Sequence, residues 1–191
     1  EGCEAGGHLE FKPGHDFIKT EDIIPGVVEA LTIPVIAAGG IYTGEDIAHM
    51  LKLGASGVQM ATRFVTTHEC DVHNDFKKAY LKAKEEDVVI IKSPVGLPGR
   101  AIKNTFTENL EKGIVPEIDY SFCKSCMGKY CGKQYCIVKA LEEAKDGDIE
   151  NGLIFAGSNV QKINEIISVK ELMDELTNEA NSSLAVELTT A

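Results

Sequence analysis

Three short segments of the 191-residue chain carry residue types that could bind an anion and move a proton. The first is Glu4-Ala5-Gly6-Gly7-His8. Its two glycines turn the chain tightly and place an imidazole just past a strand end, where it can titrate near neutral pH and donate to a developing anion. The plainer reading is a histidine in a surface loop. The second is Gly39-Gly40-Ile41, with Thr43 opening a helix. Glycines let the backbone approach an anion, and the first N–H groups of a helix lack internal partners and lie at the positive end of its dipole. The same glycines would serve any tight strand-to-helix turn. The third is Gln59-Met60-Ala61-Thr62-Arg63-Phe64, at the end of the following strand. Two neighbouring strand ends offering backbone donors match the phosphate site that barrels commonly build after their last two strands. Against this stands a reading in which Thr62 only caps a helix and Arg63 pairs with a surface carboxylate.

The elements that must position these segments alternate. Ile24, Val27, Val28 and Leu31 form a helical stripe, with a start near Ile23 that leaves Pro25 in the first turn. Pro34 to Ala38 is a short apolar run suited to a parallel strand buried on both faces. Thr43 and Asp46 form a variant capping box for a helix with the stripe Ile47, Met50 and Leu51, closed by Gly54, and Gly57 to Met60 is the next strand. Helix, strand, helix, strand is the order of βα repeats and a parallel sheet. Beyond it, Phe76, Ala79, Tyr80 and Ala83 predict a helix, Val88 to Ile91 an extended run, and Ser93 to Arg100, rich in Pro and Gly, an irregular loop. Ile137, Ala140, Leu141 and Ala144 mark another helix. After a glycine-rich turn at Gly147 to Gly157, Ser168 and Glu171 box a last helix with the stripe Val169, Leu172, Met173 and Leu176. From about Asn178 the chain is polar, without periodicity, and is expected to fray.

Thirty acidic against nineteen basic residues give a formal charge of -11, which repels nucleic acid and anionic lipid. No run reaches the roughly 18 apolar residues of a membrane span, and the chain reads as cytoplasmic. Cys123, Cys126, Cys131 and Cys136 could hold zinc or an iron–sulfur cluster, or be reduced residues packing a cap. They also support a rival of another class, a metal-stabilised cap or interaction module without activity. His15, His49, His68 and His73 read as solvated or helix-surface residues.

Glu1 to His8, Val35 to Ile41 and Gly54 to Phe64 together resemble the nitronate monooxygenase family, formerly 2-nitropropane dioxygenases, and the related FMN-dependent enoyl-acyl-carrier-protein reductases. The resemblance implies an α/β fold: the C-terminal part of a (β/α)8 TIM barrel with a mostly helical cap. Residues 1–70 would be the last βα units, following strands six, seven and eight; 71–177 the cap with the Cys-rich segment; 178–191 a disordered tail. Strands one to five would lie upstream, and these residues alone would bind flavin weakly. The resemblance further implies FMN as cofactor and His8 as the active-site histidine. Glu1, Gly6, Gly39, Gly40, Gln59, Met60, Ala61 and Thr62 would contact the flavin, chiefly its phosphate. The family usually has Gly where this chain has Ala61, which keeps the N–H donor, and commonly Gln where it has Glu1, which would place a negative charge near the flavin. Gly152-Leu-Ile-Phe-Ala-Gly-Ser158 resembles the segment these enzymes fold back over the flavin pocket. Implied partners are a nitronate or an enoyl thioester and oxygen, with a homodimer compatible. The implied reaction is oxidation of alkyl nitronates to a carbonyl compound and nitrite, or reduction of an enoyl thioester by NAD(P)H.

Overall fold

The computed structural model describes residues 4–9, 17–119, 121 and 134–188. Glu1, Cys3, His15, Cys123, Cys126 and Cys131 lie outside the described residues, and with them the contact expected at position 1 and most of the cysteine cluster. In chain order the elements are β1 (Gly7–His8), α1 (Thr20–Ala30), β2 (Ile36–Ala38), α2 (Gly44–Lys52), β3 (Gly57–Gln59), α3 (Thr62–Val65), α4 (Asn74–Lys82), β4 (Val88–Lys92), β5 (Pro98–Ile102), α5 (Thr105–Glu111), α6 (Ile137–Lys145) and α7 (Val169–Leu188).

β2 and β3 pair in parallel, with Ala37 opposite Val58, and α2 makes the crossover between them. The Thr43 hydroxyl accepts from Asp46 N–H at 3.1 Å, while the Asp46 carboxylate accepts from the Thr43 and Tyr42 amides. This reciprocal box starts α2 where the sequence predicts. Ala37 is fully buried against Ile24 of α1 and Met50 of α2. Ile36, pointing the other way, is 54% exposed, so β2 is buried on one face rather than two.

Three further expectations are corrected. α1 begins at Thr20, not near Ile23, and Pro25 sits inside it. Thr20 holds that start: its amide donates to Glu4 Oε2 at 3.1 Å and its hydroxyl to the carbonyl of Gly39 at 2.8 Å. The stretch 93–100 is not wholly a loop. Only Ser93–Leu97 turns, and Pro98-Gly99-Arg100 continues as β5, antiparallel to β4. Proline is tolerated there as the first residue of a strand. From Asn178 to Leu188 the chain is helical rather than frayed, because α7 runs on to Leu188 against α2. Ala180 is buried, the Glu179 carboxylate accepts from Gly44 N–H at 2.7 Å, and Lys52 donates to the carbonyl of Ser183. α5 was not foreseen; the Asn104 side chain caps it by accepting from Thr107 N–H.

β1 pairs with β5, His8 opposite Gly99, which places the histidine as the last residue of an antiparallel edge strand rather than just past a strand end. Gly7 reaches this register at φ 83°. The order β1-β5-β4 forms a three-stranded sheet backed by α5 and α6 through Ile91, Ala101, Phe106, Ile137, Ala140 and Leu153. Among the described residues no helix is long and apolar enough to cross a membrane.

Gly44 marks the closest approach of α2 and α7, since a Cβ there would lie 2.5 Å from Glu179 Cβ and against the Leu176 carbonyl. Gly44→Ala should therefore destabilise the fold by about 1–3 kcal/mol, as overpacking of a fitted contact does. Gly26→Ala, where nothing lies within 4 Å in α1, should instead stabilise by about 0.5–1 kcal/mol. Denaturant melts of the two variants would check the opposite signs.

Candidate functional site

The turn after β2 and the turn after β3 line one cleft of ≈ 110 Å³. Its walls hold Gly6, Gly39, Gly40, Gln59, Met60, Ala61 and Thr62, joined by Glu4, Tyr42 and Gly157-Ser158-Asn159. Every described residue expected to contact flavin is therefore in one place. His8 is not in that wall; it stands two residues beyond Gly6, on the adjoining sheet.

Several contacts hold the cleft's shape. Gly39 and Gly40 adopt φ 97° and 75°, which only glycine takes at little cost. The Thr20 hydroxyl grips the carbonyl of Gly39, and Asn159 Nδ2 donates to the carbonyl of Gly40 at 2.8 Å. From the other side, Gly157 N–H donates to the Thr62 hydroxyl at 3.0 Å and Ser158 N–H to the Glu4 carbonyl at 3.0 Å. A Cβ on Gly6 would meet the Ala156 carbonyl carbon at 2.7 Å, and one on Gly157 the Thr62 hydroxyl at 2.7 Å. The segment 156–159 thus closes over the cleft because both contact points lack side chains.

The amides of Gly40, Ile41 and Thr62 have no acceptor among the described residues. All three residues line the cleft, and amides without a partner beside a glycine wall are groups that could take a small anion such as a phosphate. Thr62 is the first residue of α3 and does not cap it, so that part of the plain reading is set aside. The other part holds. Arg63 turns away from the cleft, donates to both Glu175 oxygens at 3.0 and 3.1 Å, and stacks 4.8 Å from the Tyr42 ring centroid. It braces α7 and the Tyr42 backbone rather than binding an anion.

His8 Nε2 lies 2.7 Å from the Ser93 hydroxyl, and its ring meets the Phe155 ring edge-on at 5.1 Å. Burial holds the imidazole pKa below its ordinary value of 6.5, so the ring is neutral at pH 7. The other described histidines serve locally: His49 faces Glu21 and His73 caps α4 through Asp75 N–H. Among the described residues no group of three or more His, Cys, Asp and Glu could hold a metal.

Glu4, Tyr42, Asn159 and Ser93 were not singled out from the sequence. Glu4 opens the first of the three segments without a role of its own there, and Asn159 adjoins Gly152–Ser158, so their neighbours are the available signal. Ser93 gave none, because its partner lies 85 positions away.

A parallel βαβ unit whose two strand-end turns share a glycine-walled cleft defines an α/β protein with a small-molecule-sized site at its strand ends. Comparison narrows this class. The model of the family "Nitronate monooxygenase" matches residues 1–179. A probable nitronate monooxygenase of Bacillus subtilis is 30% identical over 184 residues, covering 94% of this chain and 50% of that protein. One from Staphylococcus aureus (strain Newman) is 37% identical over 123 residues, 61% of this chain and 35% of that protein. Among solved structures, FabK from Thermotoga maritima superposes with TM-score 0.76 at 29% identity, covering 100% of this chain and 56% of that one. Nitroalkane oxidase from Streptomyces ansochromogenes gives 0.73 at 25%, covering 97% and 52%. The chain belongs to the nitronate monooxygenase family, a family of oxidoreductases. It spans about half the length of the relatives it matches.

Proposed function

We propose that the protein is an FMN-dependent oxidoreductase that oxidises alkyl nitronates with oxygen to a carbonyl compound and nitrite. In this reading β2 and β3 are strands of the last βα units of a (β/α)8 barrel, residues 71–177 form its cap, and the enzyme works in the cytoplasm on a small-molecule substrate. The observation that carries it is the convergence of Gly6, Gly39-Gly40, Gln59 to Thr62 and Gly157 to Asn159 on one cleft.

The residues present fit the cofactor's phosphate. Gly40, Ile41 and Thr62 offer amide donors that no described residue takes up, and side chains at Gly6 or Gly157 would break the wall. Glu4, whose carboxylate lies beside Gly40, can accept from the hydroxyls of the ribityl chain. Bound there, the flavin supplies the electron acceptance that a nitronate, already an anion, needs before oxygen can convert it. His8 is neutral at pH 7 and keeps one N–H, which can donate to the oxygens of the nitronate; no strong base is required. The sheet β1-β5-β4 fixes the ring's direction, and Phe155 covers one edge of it.

The superposition on FabK favours a second reading, reduction of an enoyl thioester by NAD(P)H at the same flavin. One pair of assays separates them. Oxygen uptake and nitrite release with an alkyl nitronate, without NAD(P)H, is the outcome we expect; NAD(P)H oxidation that depends on an enoyl thioester, with no nitronate-driven oxygen uptake, would overturn it.

A further inference from the structure

Two donors on one face of α4 hold the two segments that wall the cleft. Lys77 and Tyr80 lie three positions apart on this helix, on the same face, and are 5% and 3% exposed. The Lys77 amine donates to the Thr67 carbonyl at 2.6 Å, and the Tyr80 hydroxyl to the Phe155 carbonyl at 2.5 Å. None of these four residues lines the cleft. Each acceptor nevertheless belongs to a segment that ends in one of its walls. Thr67 follows α3, whose first residue is Thr62, and Phe155 precedes the stretch 156–159.

Both segments need an outside anchor. α3 is a single turn of four residues with no side-chain cap, and a helix that short does not hold itself. Phe155 bridges Ala101 on β5 through its neighbours' hydrogen bonds, from Ile102 N–H to the Ile154 carbonyl at 2.8 Å and from Ala156 N–H to the Arg100 carbonyl at 3.3 Å. Its own carbonyl therefore points away from the sheet, toward α4, where Tyr80 takes it. Burial pushes the Tyr80 phenol pKa far up, so the hydroxyl keeps its proton and donates. The Lys77 amine has one hydrogen bond among the described residues, the one to Thr67. Burying an amine beside a neutral carbonyl costs more than burying an apolar side chain there, so packing alone does not account for it.

We infer that α4 is a brace that sets the spacing of the two cleft walls, with Lys77 and Tyr80 as positioning residues for the cofactor site. The walls meet at one hydrogen bond, from Gly157 N–H to the Thr62 hydroxyl at 3.0 Å. That contact requires α3 and 156–159 to stand at a fixed separation, and a helix gripping both through donors about one turn apart supplies it. The helix is itself held in place. The Tyr80 ring lies against Phe76 at 5.4 Å, in the core formed with Ile102, Ala144, Ile154 and Val160.

That FMN occupies the cleft rests on the proposed function; the brace does not. In the full-length protein, Tyr80→Phe and Lys77→Met each remove one donor and keep most of the side chain's bulk. Leu81→Ala is the control, since it takes apolar contact from the same core and leaves both donors in place. Titration with FMN should show the dissociation constant raised about 10-fold in each donor variant, the order that one acceptor left without its donor gives, and within about 2-fold of the parent in the control. Without FMN, amide hydrogen exchange should show Gly157 N–H exchanging about 10-fold faster in the donor variants and at the parent's rate in the control. A role confined to general stability would lower the melting temperature of all three variants and leave both readouts where they are. Parental Gly157 exchange, or parental FMN affinity, in either donor variant would overturn the brace. A parent protein that takes up no FMN would overturn the proposed function instead, and the Gly157 exchange still decides the brace.

Discussion

Replacing His8 with Ala should lower kcat for nitronate oxidation by about 10²- to 10⁴-fold, the range that a positioned proton-transfer or hydrogen-bonding side chain contributes. Flavin should stay bound. The separation follows from the geometry, because the imidazole is absent from the wall formed by Gly39-Gly40 and Gln59 to Thr62. Its anchors are Ser93 and Phe155, neither of which reaches that wall. Stopped-flow turnover beside the flavin absorbance of the purified variant measures the two effects together. Unchanged turnover removes His8 from the mechanism, whereas loss of flavin would mean that the imidazole supports the cleft after all.

The opposite variant is Gly40→Val, which should weaken flavin binding by about 100-fold, equivalent to about 2.7 kcal/mol. Gly40 sits at φ 75°, where a residue with a Cβ pays about 1–2 kcal/mol, and more for a β-branched one. A Cβ there would also stand 2.5 Å from Glu4 Oε2, driving that carboxylate off the Thr20 amide that starts α1. The displaced carboxylate and the new side chain would both disturb the wall that Gly40 and Glu4 form in the cleft. Titration of the apoprotein with FMN, following flavin fluorescence, reads the affinity directly. Gly26→Ala serves as the control and should bind as the parent does, since that position is remote in α1 with open space around it. Tight flavin binding by Gly40→Val would sink the phosphate assignment.

Much of the candidate cleft was legible in the residues. Gly39-Gly40 and Gln59 to Thr62 were both placed at strand ends, and parallel pairing of adjacent strands brings such ends together without further information. The Thr43–Asp46 and Ser168–Glu171 boxes were legible for the same reason, since each joins groups three residues apart. Legibility failed where a partner was distant. Pro98-Gly99-Arg100 looked like loop, yet β4 on one side and β1 on the other pull it into a sheet. The polar stretch after Asn178 looked unstructured because its apolar contacts are few. Its helix is held by Gly44 and Lys52, more than 120 positions earlier.

The chain's local chemistry was thus enough to set the βα repeat, the helix starts and the glycine turns, since caps, turns and apolar runs act over a few residues. The wall that 156–159 adds, the bracing of Arg63 by Glu175 and the pairing of His8 with Ser93 arose only when distant segments packed together. Such contacts depend on how whole elements stack, and no pattern within a short window of residues encodes that stacking.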